Sequence, residues 1–273
     1  MAWVSPSVQL VGLHVFGPAR VWVAGSDGRI YAWDGTGWSI QHPEDDLDAV
    51  AAVDERDAWL SSDDGIWHWN GARWSLSGPD REAVAMSAPD RNHAWAVGAS
   101  GVWAWNGRTW AVQPLAAGIV LRAVVSTDAM HAWAVGSQPD GRGAVVTWNG
   151  STWAQSTVPQ PLSAVFAADS VHVWAVSPAG AVFADGGTGW QEIADLGLEL
   201  CAITGDTAGH VWAAARTGEI VVVRHGHWTI AYRAPTELTA LAALDARTVW
   251  AIGFDTIYST VPPEVAPQWG TEP

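Results

Sequence analysis

A short apolar run around a single tryptophan recurs at nearly constant spacing along the whole chain. The run reads His-Ala-Trp-Ala-Val-Gly at residues 93–98 and again at residues 131–136. The central tryptophans of its copies are Trp22, Trp59, Trp95, Trp133, Trp174, Trp212 and Trp250. A repeat with a period of roughly 40 residues indicates an architecture in which one small unit of secondary structure is used again and again, here seven times.

Two further patterns accompany each central tryptophan. A Leu-x-Ala-Val run, as at residues 121–124, precedes it, and a turn such as Trp105-Asn-Gly-Arg-Thr-Trp110 follows it. Asn-Gly and Asp-Gly favour tight hairpins because both residues tolerate a positive φ. Each unit is therefore predicted to form four short antiparallel strands, A to D. Strand B carries the central tryptophan, and strand D begins at the second tryptophan of the turn.

The size and number of these units predict a propeller. Four antiparallel strands in about 40 residues make one blade, and closing the blades into a ring removes the free ends that an open array would leave. We therefore predict an all-β chain that forms a single seven-bladed β-propeller domain over residues 1–273. The predicted blades are residues 8–44, 45–81, 82–118, 119–160, 161–197, 198–236 and 237–261, with 1–7 joining the last blade and 262–273 forming a tail.

The last blade has no clear fourth strand of its own. Trp3 precedes Trp22 by nearly the same spacing that separates Trp38, a D-strand tryptophan, from Trp59 on the next strand B. Residues 2–6 are therefore predicted to complete the last blade, with Trp3 in the D-strand column. The rival is Trp269, which lies further after Trp250 than is usual for such a pair. Three prolines and no turn signal precede it, as is typical of a loose tail.

Tryptophan dominates the aromatic residues, with 21 Trp against 3 Tyr and 4 Phe. All of the tryptophans except Trp269 fall into strand columns that recur from blade to blade. Trp67 and Trp103, for example, share a column with Tyr31 and Tyr258. Large rings at equivalent positions are predicted to fill the space between adjacent blades, where they bury much apolar area.

One turn resembles a known propeller repeat. Asp185-Gly-Gly-Thr-Gly-Trp190 is similar to the Asp-box (BNR) pattern Asp-x-Gly-x-x-Trp, and the tryptophan-rich units look like those of bacterial tectonin-like propellers. Asp-box turns have a structural role, so this resemblance implies the propeller fold. Tectonin-like propellers include lectins, so the resemblance to them implies sugar binding as an expectation. The arginine triad and tyrosine nucleophile of sialidases match no motif of this chain.

Composition narrows the function classes. The net charge is −15, and all 13 basic residues are arginine, which disfavours nucleic acids and anionic membrane surfaces as partners. The absence of lysine excludes lysine Schiff-base chemistry. Cys201 is the single cysteine, so neither an intramolecular disulfide nor a cysteine-based zinc site can form. With no basic leader and no long apolar stretch, the sequence predicts a cytoplasmic protein.

One strand-A column is a candidate ligand site, because it varies while its neighbouring columns are almost wholly Ala, Gly or aliphatic. Eleven positions before the central tryptophan stand Val11, Asp48, Val84, Arg122, Ser163, Cys201 and Thr239. We predict that this column lies at the mouth of the central channel, on the face of the D–A and B–C loops. Asp48, Arg122, Ser163 and Thr239 are the predicted ligand-binding residues, and a water-filled channel lining is the alternative. An enzyme would use Asp48, Arg122, Cys201 and His14.

An acidic cluster is a second candidate. Glu44, Asp45, Asp46 and Asp48 are followed by Asp63 and Asp64 in the next loop of the same predicted face. Oxygen-rich loops suit calcium, so Asp45, Asp46, Asp63 and Asp64 are candidate ligands, and a solvated acidic loop is the alternative. No other cofactor is predicted.

Four histidines begin strand B in four different blades: His93, His131, His172 and His210. They cannot converge on one metal ion from separate blades. A hydrogen bond from each to the preceding turn aspartate is predicted instead.

The sequence favours a non-catalytic binding propeller that recognises a carbohydrate or a protein at the channel mouth or in the interblade grooves. One alternative is an enzyme that acts on a small neutral or cationic molecule at the mouth. Another is a structural or assembly scaffold. The fold alone does not choose among them.

Overall fold

A computed structural model describes residues 2–4, 8–43, 46–78, 83–224 and 226–260. All regular structure in these residues is β-strand, arranged as seven antiparallel sheets of four strands each. Nothing in this part of the chain forms a helix that could span a membrane.

The strands, in chain order, are β1 (Ala2–Val4), β2 (Leu10–Gly17), β3 (Arg20–Gly25), β4 (Ile30–Trp33), β5 (Trp38–Gln41), β6 (Leu47–Asp54), β7 (Asp57–Ser62), β8 (Gly65–Trp69), β9 (Trp74–Leu76), β10 (Ala85–Asp90), β11 (His93–Gly98), β12 (Gly101–Trp105), β13 (Trp110–Gln113), β14 (Val120–Asp128), β15 (His131–Ser137), β16 (Gly143–Trp148), β17 (Trp153–Val158), β18 (Ala164–Ala167), β19 (His172–Val176), β20 (Ala181–Gly186), β21 (Gln191–Asp195), β22 (Leu200–Gly205), β23 (Val211–Ala215), β24 (Glu219–Arg224), β25 (His227–Arg233), β26 (Leu238–Asp245), β27 (Thr248–Gly253) and β28 (Thr256–Ser259).

The sheets form a closed ring. Blades 1 to 6 each consist of four consecutive strands, A to D, from β2–β5 to β22–β25. The A strands of successive blades contact one another, and β26 of blade 7 contacts β2 of blade 1. The A strands therefore surround the central channel. The predicted seven-bladed propeller is confirmed.

The N-terminal strand closes the ring, as predicted. Blade 7 has the strand order β26-β27-β28-β1, so the start of the chain supplies the fourth strand. Its register shows that the placement of Trp3 in the D-strand column is wrong. Trp3 stands opposite Ile257, and the blade 1 equivalent of Ile257 is Ile30, which stands opposite Gln41.

Trp3 is therefore three positions past the D-strand tryptophan column, because Gln41 is the third position after Trp38. The cause is that β1 pairs only with Thr256–Tyr258, the first part of β28. The D-strand tryptophans of other blades stand opposite the last residue of strand C, as Trp38 stands opposite Trp33. No residue of β1 stands opposite the equivalent position in blade 7, Thr260. The slightly short spacing between Trp3 and the next strand-B tryptophan was the sequence signal for this shift.

Tryptophans pack the seams between blades, as predicted. Trp59 on strand B of blade 2 is fully buried, and its ring lies 4.8 Å from that of Trp105 and 5.2 Å from that of Trp110 in blade 3. The same pairing of a B-strand tryptophan with the D-strand tryptophan of the next blade recurs in six of the seven seams of the described chain. Offset and edge-to-face ring contacts of this kind stabilise beyond the area they bury.

The C–D hairpins are fixed by a side chain at their first position. Asn106 Oδ1 accepts the backbone N–H groups of Arg108 and Thr109, each at 3.0 Å. Gly107 takes a φ of +87°, which an L side chain rarely adopts. A Cβ there would lie 3.1 Å from the side chain of Asn92, so the C–D turn packs against the A–B turn of its own blade.

We expect the substitution Trp59→Ala to destabilise the protein by about 3 to 5 kcal/mol, because it empties a seam that two neighbouring indoles define. Denaturant unfolding followed by circular dichroism would measure the loss. Val112→Ala on an exposed D-strand edge is the control and should change the unfolding free energy little. Equal effects of the two substitutions would contradict the packing role of the seam.

Candidate functional site at the channel mouth

The variable strand-A column lies in a β-bulge that recurs around the ring. In blade 4, Leu121 pairs with Gly136 and Ala123 with Val135, so Arg122 is the extra residue. The same register shift leaves Val11, Asp48, Cys201 and Thr239 as the extra residues of their blades. Bulges disrupt regular pairing and redirect side chains, often beside binding sites. The column is therefore a set of equivalent positions that the strand ladder does not constrain.

A cavity of about 840 Å³ opens among these bulges. It is lined by D–A and B–C loop residues together with six of the seven column residues: Val11, Val84, Arg122, Ser163, Cys201 and Thr239. The structure thus brings Arg122, Ser163 and Thr239 together, as the sequence suggested. Asp48 belongs to blade 2, which contributes no residue to the described lining.

The lining carries one positive charge that no described neighbour balances. Its charged residues in the described chain are Arg122, Arg216 and Glu199, and Arg216 forms an ion pair with Glu199 at 3.3 Å. Arg122 is exposed and has neither a hydrogen bond nor an ion pair to another described residue. Val84 and Val120 beside it are also exposed. The mouth therefore combines an apolar rim with a guanidinium that has no partner among the described residues.

The small polar residues of the column join neighbouring blades. Ser163 Oγ lies 3.1 Å from the carbonyl oxygen of Val176 in its own blade and 2.9 Å from that of Leu200 in the next blade, and the two oxygens share its single hydroxyl hydrogen. Thr239 Oγ1 makes the equivalent contact with Leu10 at 3.4 Å across the closing seam. Ser163 and Thr239 therefore have a structural role at the mouth, and their role as ligand-binding residues stays a prediction.

Cys201 makes the same contacts through sulfur. Its Sγ lies 3.4 Å from the Ala214 oxygen and 3.3 Å from the Leu238 oxygen. Burial raises the pKa of the thiol to about 11, so it is protonated at neutral pH. A protonated, hydrogen-bonded thiol is a poor nucleophile.

The four residues named for an enzyme do not meet in one place. Arg122 and Cys201 line the mouth, whereas His14 lines a different cavity of about 540 Å³ at the A–B turn end of the channel, together with Asp54 and Arg91. Burial lowers the pKa of His14 to about 4, so this imidazole is neutral at physiological pH.

The acidic candidates lie on exposed loops. Asp46, Asp63 and Asp64 are exposed, whereas Glu44 and Asp45 fall outside the described residues. No group of three or more potential metal-ligating side chains occurs in the described part of the chain. The calcium site stays a prediction.

The strand-B histidines hydrogen-bond to the turn aspartates, as predicted. The Nδ1 atoms of His93, His131, His172 and His210 lie 2.8 to 2.9 Å from a carboxylate oxygen of Asp90, Asp128, Asp169 and Asp206. The backbone N–H of His172, its ring and the N–H of Val171 together lower the pKa of Asp169 to about 2. These pairs belong to the A–B turns.

Sequence reasoning missed two features of the mouth. One is the bulge, which turns the residues after it to the opposite face of the sheet: Leu121 packs in the seam with blade 3, whereas Ala123 packs in the seam with blade 5. The other is the pairing of Glu199 with Arg216. The variable x of the Leu-x-Ala run was the available signal for the bulge.

Comparisons with known proteins support the fold. No family model matches the sequence, and no curated protein matches it. The structure of YCF48 bound to D1 peptide has a TM-score of 0.75 at 16% identity and covers 96% of both chains. The WD40 repeats of RRP9 have a TM-score of 0.76 at 11% identity, covering 92% of this chain and 90% of theirs. The WD40 propeller domain of Doa1 has a TM-score of 0.74 at 11% identity, covering 94% of this chain and 95% of its own.

These similarities show a shared propeller fold. The resemblance to Asp-box and tectonin-like repeats has no matching family model and stays a prediction. The Asp185 turn does have the expected local structure, since Asp185 Oδ1 accepts the N–H groups of Gly187 and Gly189 at 2.7 and 2.9 Å.

We expect Cys201 to react with iodoacetamide at pH 8 at least about 100-fold more slowly in the native protein than in urea, because its raised pKa leaves little thiolate. Mass spectrometry of timed aliquots would measure both rates. Rapid alkylation of the native protein would contradict the buried, hydrogen-bonded thiol.

Asp169 should contribute to acid sensitivity. Its pKa is lower in the folded chain than the value near 3.9 of an unfolded aspartate, so its stabilising effect is complete above pH 4 and is lost as the pH falls toward 2. Between pH 4 and 2, Asp169→Asn should therefore lose less stability than the wild type. Melting temperatures across this range test the difference, and parallel curves would refute it.

Proposed function

We propose that this protein is a non-catalytic binding propeller that recognises a protein segment at its channel mouth. The observation that carries the proposal is the guanidinium of Arg122, which no described residue pairs, in a cavity of about 840 Å³ that the exposed Val84 and Val120 also line. A cavity of this size accommodates a few residues of a peptide. An apolar surface with few fixed polar groups is the usual character of such sites.

The charges specify the chemistry of the ligand. A carboxylate, from a Glu or Asp side chain or a chain terminus, would form a bidentate hydrogen-bonded pair with Arg122. A neighbouring apolar side chain would cover the valine rim. The net charge of −15 repels strongly acidic proteins over longer distances, so the partner should be neutral or basic overall with this carboxylate as a local feature.

The structural neighbours support a peptide ligand. YCF48, which has the same fold, is described in complex with D1 peptide. A protein ligand is also favoured over a carbohydrate because none of the described residues that line the mouth is aromatic, and sugar stacking requires an open aromatic face.

The test begins with selection of binding peptides from a random display library on the full-length protein. Calorimetry with a selected peptide should then show at least tenfold weaker binding to Arg122→Ala, since a charge-assisted hydrogen bond contributes about 1.5 to 3 kcal/mol. Arg108→Ala is the matched control, because Arg108 is an exposed arginine on a C–D turn at the opposite face. It should bind like the wild type.

A second arm uses the peptide with its carboxylate replaced by an amide. This change should weaken binding to the wild type but have no further effect on Arg122→Ala, because both alterations remove the same interaction. Unchanged binding to Arg122→Ala, or equal loss in both arginine variants, would overturn the site. Saturable binding of glycans with no peptide selected would overturn the ligand class.

A further inference from the structure

The A–B turn of blade 1 differs from the A–B turns of the other six blades. In blades 2 to 7 an aspartate of the turn accepts the backbone N–H of the second residue after it; these are Asp54, Asp90, Asp128, Asp169, Asp206 and Asp245. Blade 1 has Gly17 at this position, opposite Arg20 at the start of strand B. The turn of blade 1 is therefore basic and lacks the aspartate of the others.

A cavity of about 540 Å³ lies beside this turn, at the A–B turn end of the channel. Blades 1 and 2 form most of its wall, and Arg91 of blade 3 completes it. The rings of His14 and Phe16 on the wall are 4.7 Å apart, and Phe16 meets the indole of Trp22 edge to face at 5.3 Å. The volume lies within the roughly 300 to 1,000 Å³ of small-molecule sites.

Three guanidinium groups and two carboxylates line this cavity in the described chain. Arg20 Nη1 lies 2.7 Å from Glu55 Oε1, and Arg91 Nη2 lies 2.7 Å from Asp54 Oδ2. The side chain of Arg56 has neither a hydrogen bond nor an ion pair to another described residue. The described lining thus has an excess of one positive charge in a chain whose net charge is −15. Exposed ion pairs contribute little to stability, so folding does not account for these arginines.

A third carboxylate lies behind the cavity wall. Asp57 Oδ2 is 3.6 Å from Arg91 Nε, but Asp57 is buried and does not line the cavity. Its other oxygen lies 3.0 Å from His68 Nε2. Asp57 therefore holds Arg91 in position and does not balance the charge of Arg56 at the surface that a ligand meets.

His14 adds a polar group without a charge. Its imidazole is half-buried and has no hydrogen bond to another described residue. Burial lowers its pKa to about 4, so the ring is neutral at physiological pH. One nitrogen of a neutral imidazole donates a hydrogen bond, and a carboxylate oxygen can accept it. Val15, Phe16 and Val53 make the rest of the wall apolar.

We propose that this cavity is a second ligand site, which takes a small monocarboxylate that carries an aromatic ring. One carboxylate balances the excess charge of the lining, whereas a second would be repelled by Asp54 and Glu55 with no free guanidinium to offset them. Arg56 binds the carboxylate through paired hydrogen bonds. The aromatic ring packs against Phe16 and Val53, where it is removed from water.

The experiment titrates the full-length protein with benzoate, phenylacetate and cinnamate and follows binding by saturation-transfer NMR. Saturable binding in the millimolar range is expected for ligands this small. The tightest of the three should bind at least tenfold more weakly to Arg56→Ala, since a charge-assisted hydrogen bond is lost. Arg247→Ala is the matched control and should bind like the wild type. Arg247 has the same turn position and backbone contact in blade 7 but lies outside the described lining.

Two further arms test the charge balance. Glu55→Gln removes the carboxylate that pairs with Arg20, so it should tighten binding of the same probe by about threefold or more. The primary amide of the probe should bind the wild type at least tenfold more weakly than the acid does. It should bind Arg56→Ala and the wild type equally, because both changes remove the same interaction.

Absence of saturable binding by all three probes at about 50 mM would overturn the site, because that concentration is well above the affinity expected for them. So would equal losses in Arg56→Ala and Arg247→Ala, or unchanged or weaker binding to Glu55→Gln. Equal binding of acid and amide to the wild type would overturn the ligand class. Arg122→Ala should bind the probe like the wild type, because the channel mouth is a separate site.

Discussion

The structure depends on the contact between the strand-B indole of one blade and the strand-D indole of the next. Individual four-stranded sheets bury too little surface to be stable alone, and the seam contact provides the missing burial between neighbours. It also sets their spacing, because two indoles such as Trp59 and Trp110 meet edge to face at 5.2 Å. Six such contacts, together with the Trp212 cluster in the remaining seam, close the ring.

Ring closure places the variable strand-A residues around the channel mouth, where a ligand can contact them. The bulge near the start of strand A occurs in five of the blades, and its extra residue differs from one blade to the next. Ser163, Cys201 and Thr239 use small polar side chains to join adjacent blades. Arg122 is too long and too strongly charged for that role, and it extends toward solvent, where a ligand can reach it.

The sequence predicted the fold well because the strand and turn pattern of a blade occurs in several copies along the chain. Independent copies of the Trp-Asn-Gly turn and of the strand-B tryptophan agree, so errors in one blade are corrected by the others. Trp3 had no such support, and its register depended on backbone pairing with β28 that side-chain spacing does not fix. The mouth was predictable in position but not in detail, since Glu199 meets Arg216 only through the folding of two separate loops.

The bulge column has a consequence for how such a protein can change its specificity. Substitution at Arg122 alters neither the indole contacts nor the hairpin turns, so a column position that joins no blades can vary while the scaffold persists. Six residues that are far apart in the sequence thus line one opening. Duplicated genes could diverge in ligand choice through these few codons alone, with little loss of foldability along the way.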